Sequence, residues 1–255
     1  MENGPAAGGP ILARQELRVL RDMFSGLARR YDLVNRVLSL GRDPFWRRAL
    51  ARRLKIIEPP GRLLDLAAGT GDQIMAAKKL WPSLAVTGLD LSSDMLALAR
   101  PKLAGLSSPA PELVVGDALD LGFQEASFDS VSISFGLRNI SRRRELYAQV
   151  LRVLKPGGRF LILELFHDPR SPWAGLTGFY LRRLVPFLGG RVLTRSGAAY
   201  RYLADTVLAF PQPAVLAGEL AEAGFTALAG RLYTFESALL VWGEKPVKPD
   251  GQPRS

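Results

Sequence analysis

Apolar residues change their spacing once along the chain, near residue 60. Before that point Leu20, Phe24, Leu27, Tyr31, Val34 and Leu38 recur every three or four positions from Ile11 onward, the period of an amphipathic helix. Asp43 reads as an N-cap with Pro44 at the first helical position, so a further helix is expected to about Leu54. After Arg62 the pattern shortens to compact apolar runs. Strands are expected at Arg62–Ala67, Ala85–Leu89, Glu112–Val115, Ser127–Ser134 and Gly158–Leu165, with helices at Gly71–Trp81, Ser93–Ala104 and Ser141–Leu154 between them. Such alternation predicts an α/β domain with helices on both faces of a parallel sheet.

Past His167 the alternation stops. A mostly helical insertion is expected over about 171–210, then a helix near Pro213–Ala223. Two strands, Phe225–Leu232 and Phe235–Gly243, complete a mainly parallel seven-stranded sheet as an antiparallel hairpin. The expected organisation is a flexible start over 1–10, a helical N-terminal lobe over 11–60, one α/β domain over 61–244 and a flexible tail over 245–255. Gly, Pro and polar residues dominate both ends.

Composition narrows the chemistry. The chain has no cysteine, which removes disulfides, thiolate nucleophiles and cysteine-zinc sites, and fits a reducing, cytoplasmic setting. The net charge of +10 favours an anionic partner: nucleic acid, a membrane surface or an acidic small molecule. Residues 1–10 lack the basic start and apolar run of a secretory signal. The most apolar stretch, Pro172–Gly190, is interrupted by Arg182 and Arg183. A soluble protein, at most peripheral at the inner face of a membrane, is expected.

The turn after the first strand carries the sharpest local signal. Gly69, Thr70 and Gly71 lie where a parallel sheet binds its ligand, and glycines there let the backbone approach it closely. Asp90, at the end of the second strand, is placed to accept both ribose hydroxyls of a nucleoside. A dinucleotide fingerprint would require glycine where Ile74 stands, and Asp65 suits a cationic amino-acid moiety better than a pyrophosphate. Gly116, Asp117 and Ala118 follow the third strand, where Asp117 can accept from an adenine amino group and Ala118 leaves room for the ring. Together these turns favour S-adenosylmethionine over a nicotinamide cofactor.

Four segments then carry a resemblance. Phe24-Ser-x-x-Ala-x-x-Tyr31-Asp32-x-x-Asn35, Asp65-Leu-Ala-Ala-Gly-Thr-Gly-Asp72, Ser132-Ile-Ser-Phe-Gly-Leu-Arg-Asn139 and Arg152-Val-Leu-Lys-Pro-Gly-Gly-Arg159 resemble the UbiE/MenG family of quinone C-methyltransferases. The likeness runs from about Phe24 to Gly243, and the Ser134–Asn139 run is its most specific part. Ala67-Ala68 and the segment Thr234–Ala238 depart from the family pattern. The resemblance implies the Rossmann-like class I methyltransferase fold and cofactor contacts at Thr70, Asp90, Asp117, Ala118 and Ser134. It implies C-methylation of a reduced polyprenyl quinone precursor, demethylmenaquinol first and a methoxy-benzoquinol of ubiquinone synthesis second.

Methyl transfer from a sulfonium needs alignment and charge stabilisation but no metal. Arg138 and Asn139 are expected beside the quinol oxygen. Arg138 stays charged and cannot act as a base; its expected role is to stabilise a phenolate. Tyr31 and Tyr202 are expected to close the ring site, and His167, the single histidine, falls just after the fifth strand. Phe179, Leu181, Leu184, Val185, Phe187 and Leu188 alternate with Arg182, Arg183 and Arg191 as a surface element for an anionic membrane. A second basic patch comprises Arg42, Arg47, Arg48, Arg52, Arg53 and Lys55. A homodimer or a quinone-biosynthesis complex is the expected assembly, and nucleic acid is not expected as a partner. An RNA methyltransferase and a non-catalytic S-adenosylmethionine-binding scaffold are the rival readings. Base methylation usually shows Asn/Asp-Pro-Pro-aromatic after the fourth strand, where this chain has Ser134-Phe-Gly-Leu137.

Overall fold

Strand β1 (Arg62–Leu66) buries every residue after Arg62, and its alternate side chains feed two different cores: Leu63 packs on one face of the sheet, Leu64 and Leu66 on the other. A computed structural model of the chain describes Arg36, residues 39–184, Phe187 and residues 197–247. The expected helical lobe before residue 39, with Tyr31, lies outside them, as do Val185, Leu188, Arg191 and the ends of the chain.

The remaining strands are β2 (Ala85–Asp90), β3 (Glu112–Val115), β4 (Phe128–Ser134), β5 (Leu154–Leu165), β6 (Thr226–Tyr233) and β7 (Ala238–Glu244). They form one seven-stranded sheet in the order β3-β2-β1-β4-β5-β7-β6. The first five are parallel. β7 runs antiparallel between β5 and β6, so the final hairpin leaves β6 at the edge. β4 is buried along all seven residues, as a strand covered on both faces must be.

One core lies under α1 (Asp43–Ala51), α2 (Asp72–Leu80) and α3 (Ser93–Leu103), through Trp46, Leu50, Ile74, Leu96 and Leu103. The opposite core lies under α4 (Arg143–Val153) and α7 (Pro213–Glu222), through Leu146, Tyr147, Val150, Leu216 and Leu220. Glu219 on α7 ties these two helices, accepting from Arg143 at 2.6 Å and from the Tyr147 hydroxyl at 3.1 Å. The insertion contains α5 (Ala174–Phe179), a π-turn at Tyr180–Leu184 and α6 (Gly197–Leu208).

Several boundaries differ from expectation. Asp43 is the first helical residue rather than the cap, and its carboxylate accepts from the Ser39 hydroxyl at 3.1 Å. α1 stops at Ala51, where Arg53 N–H and Leu54 N–H turn back to Leu50 and Ala51 carbonyls in tighter, three-residue closures. The Lys155–Gly158 turn is absorbed into β5, whose register against β4 shifts between Phe128 and Ser130.

Candidate functional site

The parallel strands β1 to β5 end on one edge, and the loops leaving that edge are bonded to one another. Ala68 N–H donates to the Leu89 carbonyl at 3.0 Å, Gly69 N–H to Asp90 Oδ2 at 2.8 Å, and Gly116 N–H to the Asp90 carbonyl at 3.0 Å. The β1 loop turns through positive φ at Ala67, Gly69 and Gly71. At Gly71 (φ +83°) a Cβ would lie 2.8 Å from Leu103 Cδ1, so only glycine permits this approach of the α2 start to α3. A Cβ on Gly136 would come within 2.7 Å of Ala67 Cβ, so the β1 and β4 loops touch as well.

Asp90 closes the β2 end. Its carboxylate accepts Gly69 N–H and, at 2.8 Å, Ser92 N–H, while burial pushes its pKa above the ordinary value. Leu91 N–H is a further backbone donor that, with Gly69 and Ser92, opposes the rise. Asp117 holds its loop by accepting Leu119 N–H at 2.9 Å, with Ala118 half-buried beside it.

Asp65 is only 1 % exposed and accepts from the Ser132 hydroxyl at 2.6 Å. Burial raises its pKa to about 7; the Ser132 bond and the nearby Arg47 charge oppose that rise, and Asp90 adds to it. Thr70 is buried in the loop, and Ser134 donates from its hydroxyl to Gln73 Oε1 at 3.3 Å.

Arg47, read from sequence as part of a basic surface, is instead buried. Its guanidinium carbon stands 4.9 Å from the Phe135 ring centroid, and its Nε has no hydrogen-bond partner. Arg53 stacks on Trp242 and Lys55 bonds Glu244 at 2.7 Å, so three of the six basic residues serve the fold rather than a surface. Arg42, Arg48 and Arg52 remain exposed.

At the β4 end, Leu137, Arg138 and Asn139 form one 3₁₀ turn. The Arg138 side chain is 2 % exposed and paired with Glu164 of β5, which also accepts Arg138 N–H at 3.2 Å and Leu165 N–H at 3.0 Å. Arg138 Nε is buried without a partner. From α6 the Tyr202 hydroxyl donates to Asn139 Oδ1 at 3.2 Å. Arg138, Asn139 and Tyr202 thus gather at one place; Tyr31 lies outside the described residues. His167 Nδ1 is 3.0 Å from Thr177 Oγ1, and that hydroxyl donates to the Trp173 carbonyl. The hydroxyl therefore accepts from Nδ1–H, which leaves the lone pair on Nε2. Burial and Arg182 hold the histidine's pKa below its usual value.

Glu164 and Gln73 were not singled out in sequence, and Arg47 was read only as part of a basic surface. Glu164 carried a readable signal: a carboxylate inside the run Phe160-Leu-Ile-Leu-Glu-Leu165 demands a buried partner. Arg47 and Gln73 carried none, because their inward turn depends on Phe135 and Ser134 far along the chain.

The donor set has a definite chemistry. Asp65 lies within reach of the Arg47 charge, Asp90 caps β2 with a buried carboxylate, and Asp117 and Ala118 follow β3. No group of His, Asp and Glu that could hold a metal ion occurs among the described residues. Fold and site together define a class I, S-adenosylmethionine-dependent methyltransferase. The ubiE/COQ5 methyltransferase family model matches residues 12–245, and the chain belongs to that family.

Among its relatives, a ubiquinone/menaquinone biosynthesis C-methyltransferase of Geobacter sulfurreducens is 42% identical over 90% of this chain and 89% of its own. A demethylmenaquinone methyltransferase of Thermus thermophilus is also 42% identical, over 88% of this chain and all of its own (100%). Solved structures share the fold at lower identity. The [4+2]-cyclase SpnF superposes with TM-score 0.65 at 16% identity, covering 89% of this chain and 95% of that one. Phosphoethanolamine N-methyltransferase 2 of Haemonchus contortus, in complex with S-adenosyl-L-methionine, gives 0.58 at 18%, covering 78% and 52%.

Proposed function

We propose that this chain methylates a ring carbon of a reduced polyprenyl quinone precursor, demethylmenaquinol before any methoxy-benzoquinol, and that Arg138, Asn139 and Tyr202 hold the acceptor ring. The carrying observation is the 3₁₀ turn at the β4 end, where the Arg138 guanidinium is buried against Glu164 and the next residue, Asn139, accepts from the Tyr202 hydroxyl. The names of the Geobacter and Thermus relatives support the acceptor class.

S-adenosylmethionine, held by Asp65, Gly69, Thr70, Gly71, Asp90, Asp117, Ala118 and Ser134, supplies an electrophilic methyl group. The chain's own task is to make the ring nucleophilic and keep it aligned. Tyr202 uses its proton on Asn139 Oδ1, which leaves the Asn139 amide N–H groups to face an acceptor oxygen. Arg138 keeps its charge; Glu164 fixes its guanidinium in a buried position, from which the positive charge favours a developing phenolate at the same strand end. Donors fixed before reaction lower the barrier because they need no reorganisation when charge appears.

The lipid substrate also calls for membrane access. Among the described residues no helix is long and apolar enough to cross a bilayer. Phe179 and Phe187 are more than half exposed, Leu184 is exposed, and Arg182 and Arg183 are exposed between them. This surface suits peripheral contact with an anionic leaflet. Sedimentation with anionic but not neutral vesicles tests it; equal recovery with both would count against it.

The activity is tested with methyl-labelled S-adenosylmethionine and, separately, demethylmenaquinol, a methoxy-benzoquinol and total RNA. Label in the naphthoquinol is expected. Label in RNA alone would overturn the reading, and cofactor binding with no label anywhere would make the chain a scaffold.

A further inference from the structure

Helices α1 and α2 pack side by side over one face of the sheet, and a groove of about 470 Å³ runs between them on their outer side. Its α2 wall is Asp72, Met75, Ala76 and Lys79, spaced as one helix face, whereas Ile74 and Ala77 are buried toward the sheet. Its α1 wall is Pro44, Arg47 and Arg48, whereas Trp46 and Leu50 enter the core. None of Ala67–Gly71, Asp90 and Asp117 borders it, so the groove is separate from the cofactor loops. Its volume falls in the range of about 300–1,000 Å³ that suits a small molecule rather than a single ion.

Charge around the groove does not cancel. Its two carboxylates are engaged: Asp43 accepts from Ser39 and lies 3.7 Å from Arg47 Nε, and Asp72 pairs with Lys102. Arg36, Arg48 and Lys79 line the groove, are exposed, and have no carboxylate partner among the described residues. Arg47 is 7 % exposed, and its Nε has no hydrogen-bond partner. The rest of the lining is apolar, with Leu80 joining Met75, Ala76 and Pro44. Beside the groove, Phe45 is more than half exposed and shares a face of α1 with Arg48 and Arg52; Leu40, just before the helix, is exposed as well.

We propose that the α1–α2 groove binds the headgroup of an anionic glycerophospholipid. Arg36, Arg48 and Lys79 hold the phosphate, Met75 and Leu80 pack on the glycerol, and Leu40 and Phe45 enter the first part of the acyl layer. Guanidinium groups match phosphate oxygens in a bidentate way, and three uncompensated cations complement a lipid that carries net negative charge. Free phosphate would use the cations and leave the apolar wall and Phe45 wet; a phosphodiester on glycerol uses both. The proposal takes its setting from the peripheral-membrane reading above and adds a headgroup-selective contact to the surface at Phe179–Phe187. It also gives a task to the part of the basic patch on α1 that is not consumed by the fold.

The test titrates the full chain by NMR with dihexanoylphosphatidylglycerol below its micelle concentration, and separately with dihexanoylphosphatidylcholine and inorganic phosphate. Saturable one-to-one binding of the glycerol lipid is expected, with the choline lipid and free phosphate each about tenfold weaker or more. Arg48→Ala with Lys79→Ala, both at exposed positions that do not endanger folding, should weaken it about a hundredfold, roughly tenfold for each charge-assisted contact. Arg36→Ala alone should cost about tenfold. Arg142→Ala with Arg144→Ala removes the same charge from α4 over the opposite face of the sheet, and should leave binding unchanged. Equal losses in the two double variants would mean diffuse attraction and overturn the proposal. So would equal affinity for the choline lipid or for free phosphate, or no saturable binding at all. Sedimentation with anionic vesicles separates the two readings. If vesicles fail to bind while the short-chain lipid does, the membrane reading falls and the groove stands; vesicle binding without a saturable lipid site has the opposite meaning.

Discussion

Replacing Asp65 with asparagine tests how the site receives a cationic donor. Asp65 is a buried carboxylate whose pKa stands at about 7, raised chiefly by burial. A donor with a sulfonium and an ammonium favours the ionised form, so binding and deprotonation are linked. If only ionised Asp65 accepts the cofactor, the apparent Kd scales as one plus ten to the power (7 − pH). With that pKa, the weakening is about 1.1-fold at pH 8, about twofold at pH 7 and about elevenfold at pH 6. Cofactor binding at pH 6 should release about 0.9 proton, measurable by titration calorimetry in two buffers of different ionisation enthalpy.

Asp65→Asn should flatten this profile and weaken binding at pH 8 by about a hundredfold, a loss of the order expected for a charge pair at about 6 Å in an effective dielectric of about 20. Stability should move the other way. The folded pKa lies about three units above the unfolded one, so the ionised carboxylate costs the cofactor-free protein about 4 kcal/mol above pH 7. That cost disappears as pH falls from about 7 to about 4, because the folded state then binds the proton first. Asp65→Asn should therefore raise the melting temperature at pH 8 while reducing cofactor affinity. Pair these measurements on one preparation. A pH-independent Kd without proton release, or asparagine binding as tightly as aspartate, would falsify the linkage.

Glu164→Gln leaves the buried Arg138 cation without its counter-ion and should cost about 3–5 kcal/mol in denaturant unfolding; a Glu164→Leu, Arg138→Leu pair should recover most of it, and an unchanged midpoint in the single variant would contradict the pairing. Gly71→Ala forces a side chain into positive φ against Leu103, so a loss of about 1–3 kcal/mol and weaker cofactor binding are expected from thermal melts and calorimetry. Tyr202→Phe removes the hydrogen bond to Asn139 and should lower kcat about tenfold with the cofactor Kd unchanged; a changed Kd with intact kcat would place Tyr202 at the donor instead.

Strand and helix order were legible because both periods were strong. β4 alternates apolar Phe128, Val131 and Ile133 with polar residues yet is buried throughout, and the glycine loop after β1 predicted its own backbone geometry. Side-chain direction was less legible. A helical arginine such as Arg47 is solvated by default, and it turns inward here because Phe135 offers a ring face and Asp43 lies one turn earlier at 3.7 Å. Arg138 is a different case. The Ser134–Asn139 run singled it out as a candidate, but its counter-ion was not readable, since Glu164 belongs to the neighbouring strand and only the register between β4 and β5 brings them together.

Under the proposed function, that register sets two unlike molecules on one edge. Side chains on a strand alternate between faces. On the face covered by α1 to α3, Asp65 and Ser132 are cross-strand partners, and Ser134 follows two residues further along β4. Ser134 is level with Leu163 on β5, and Leu165 continues the same face into an apolar cavity. Polarity thus falls across three strands, from a charged pocket under β1 and β2 to a hydrocarbon one beyond β5. A donor that carries positive charge is stabilised at the first end and repelled from the second by desolvation. A prenylated ring has the opposite preference. Under the proposed function, orientation of the two reactants is set by where each can be desolvated, before any hydrogen bond to the ring is made.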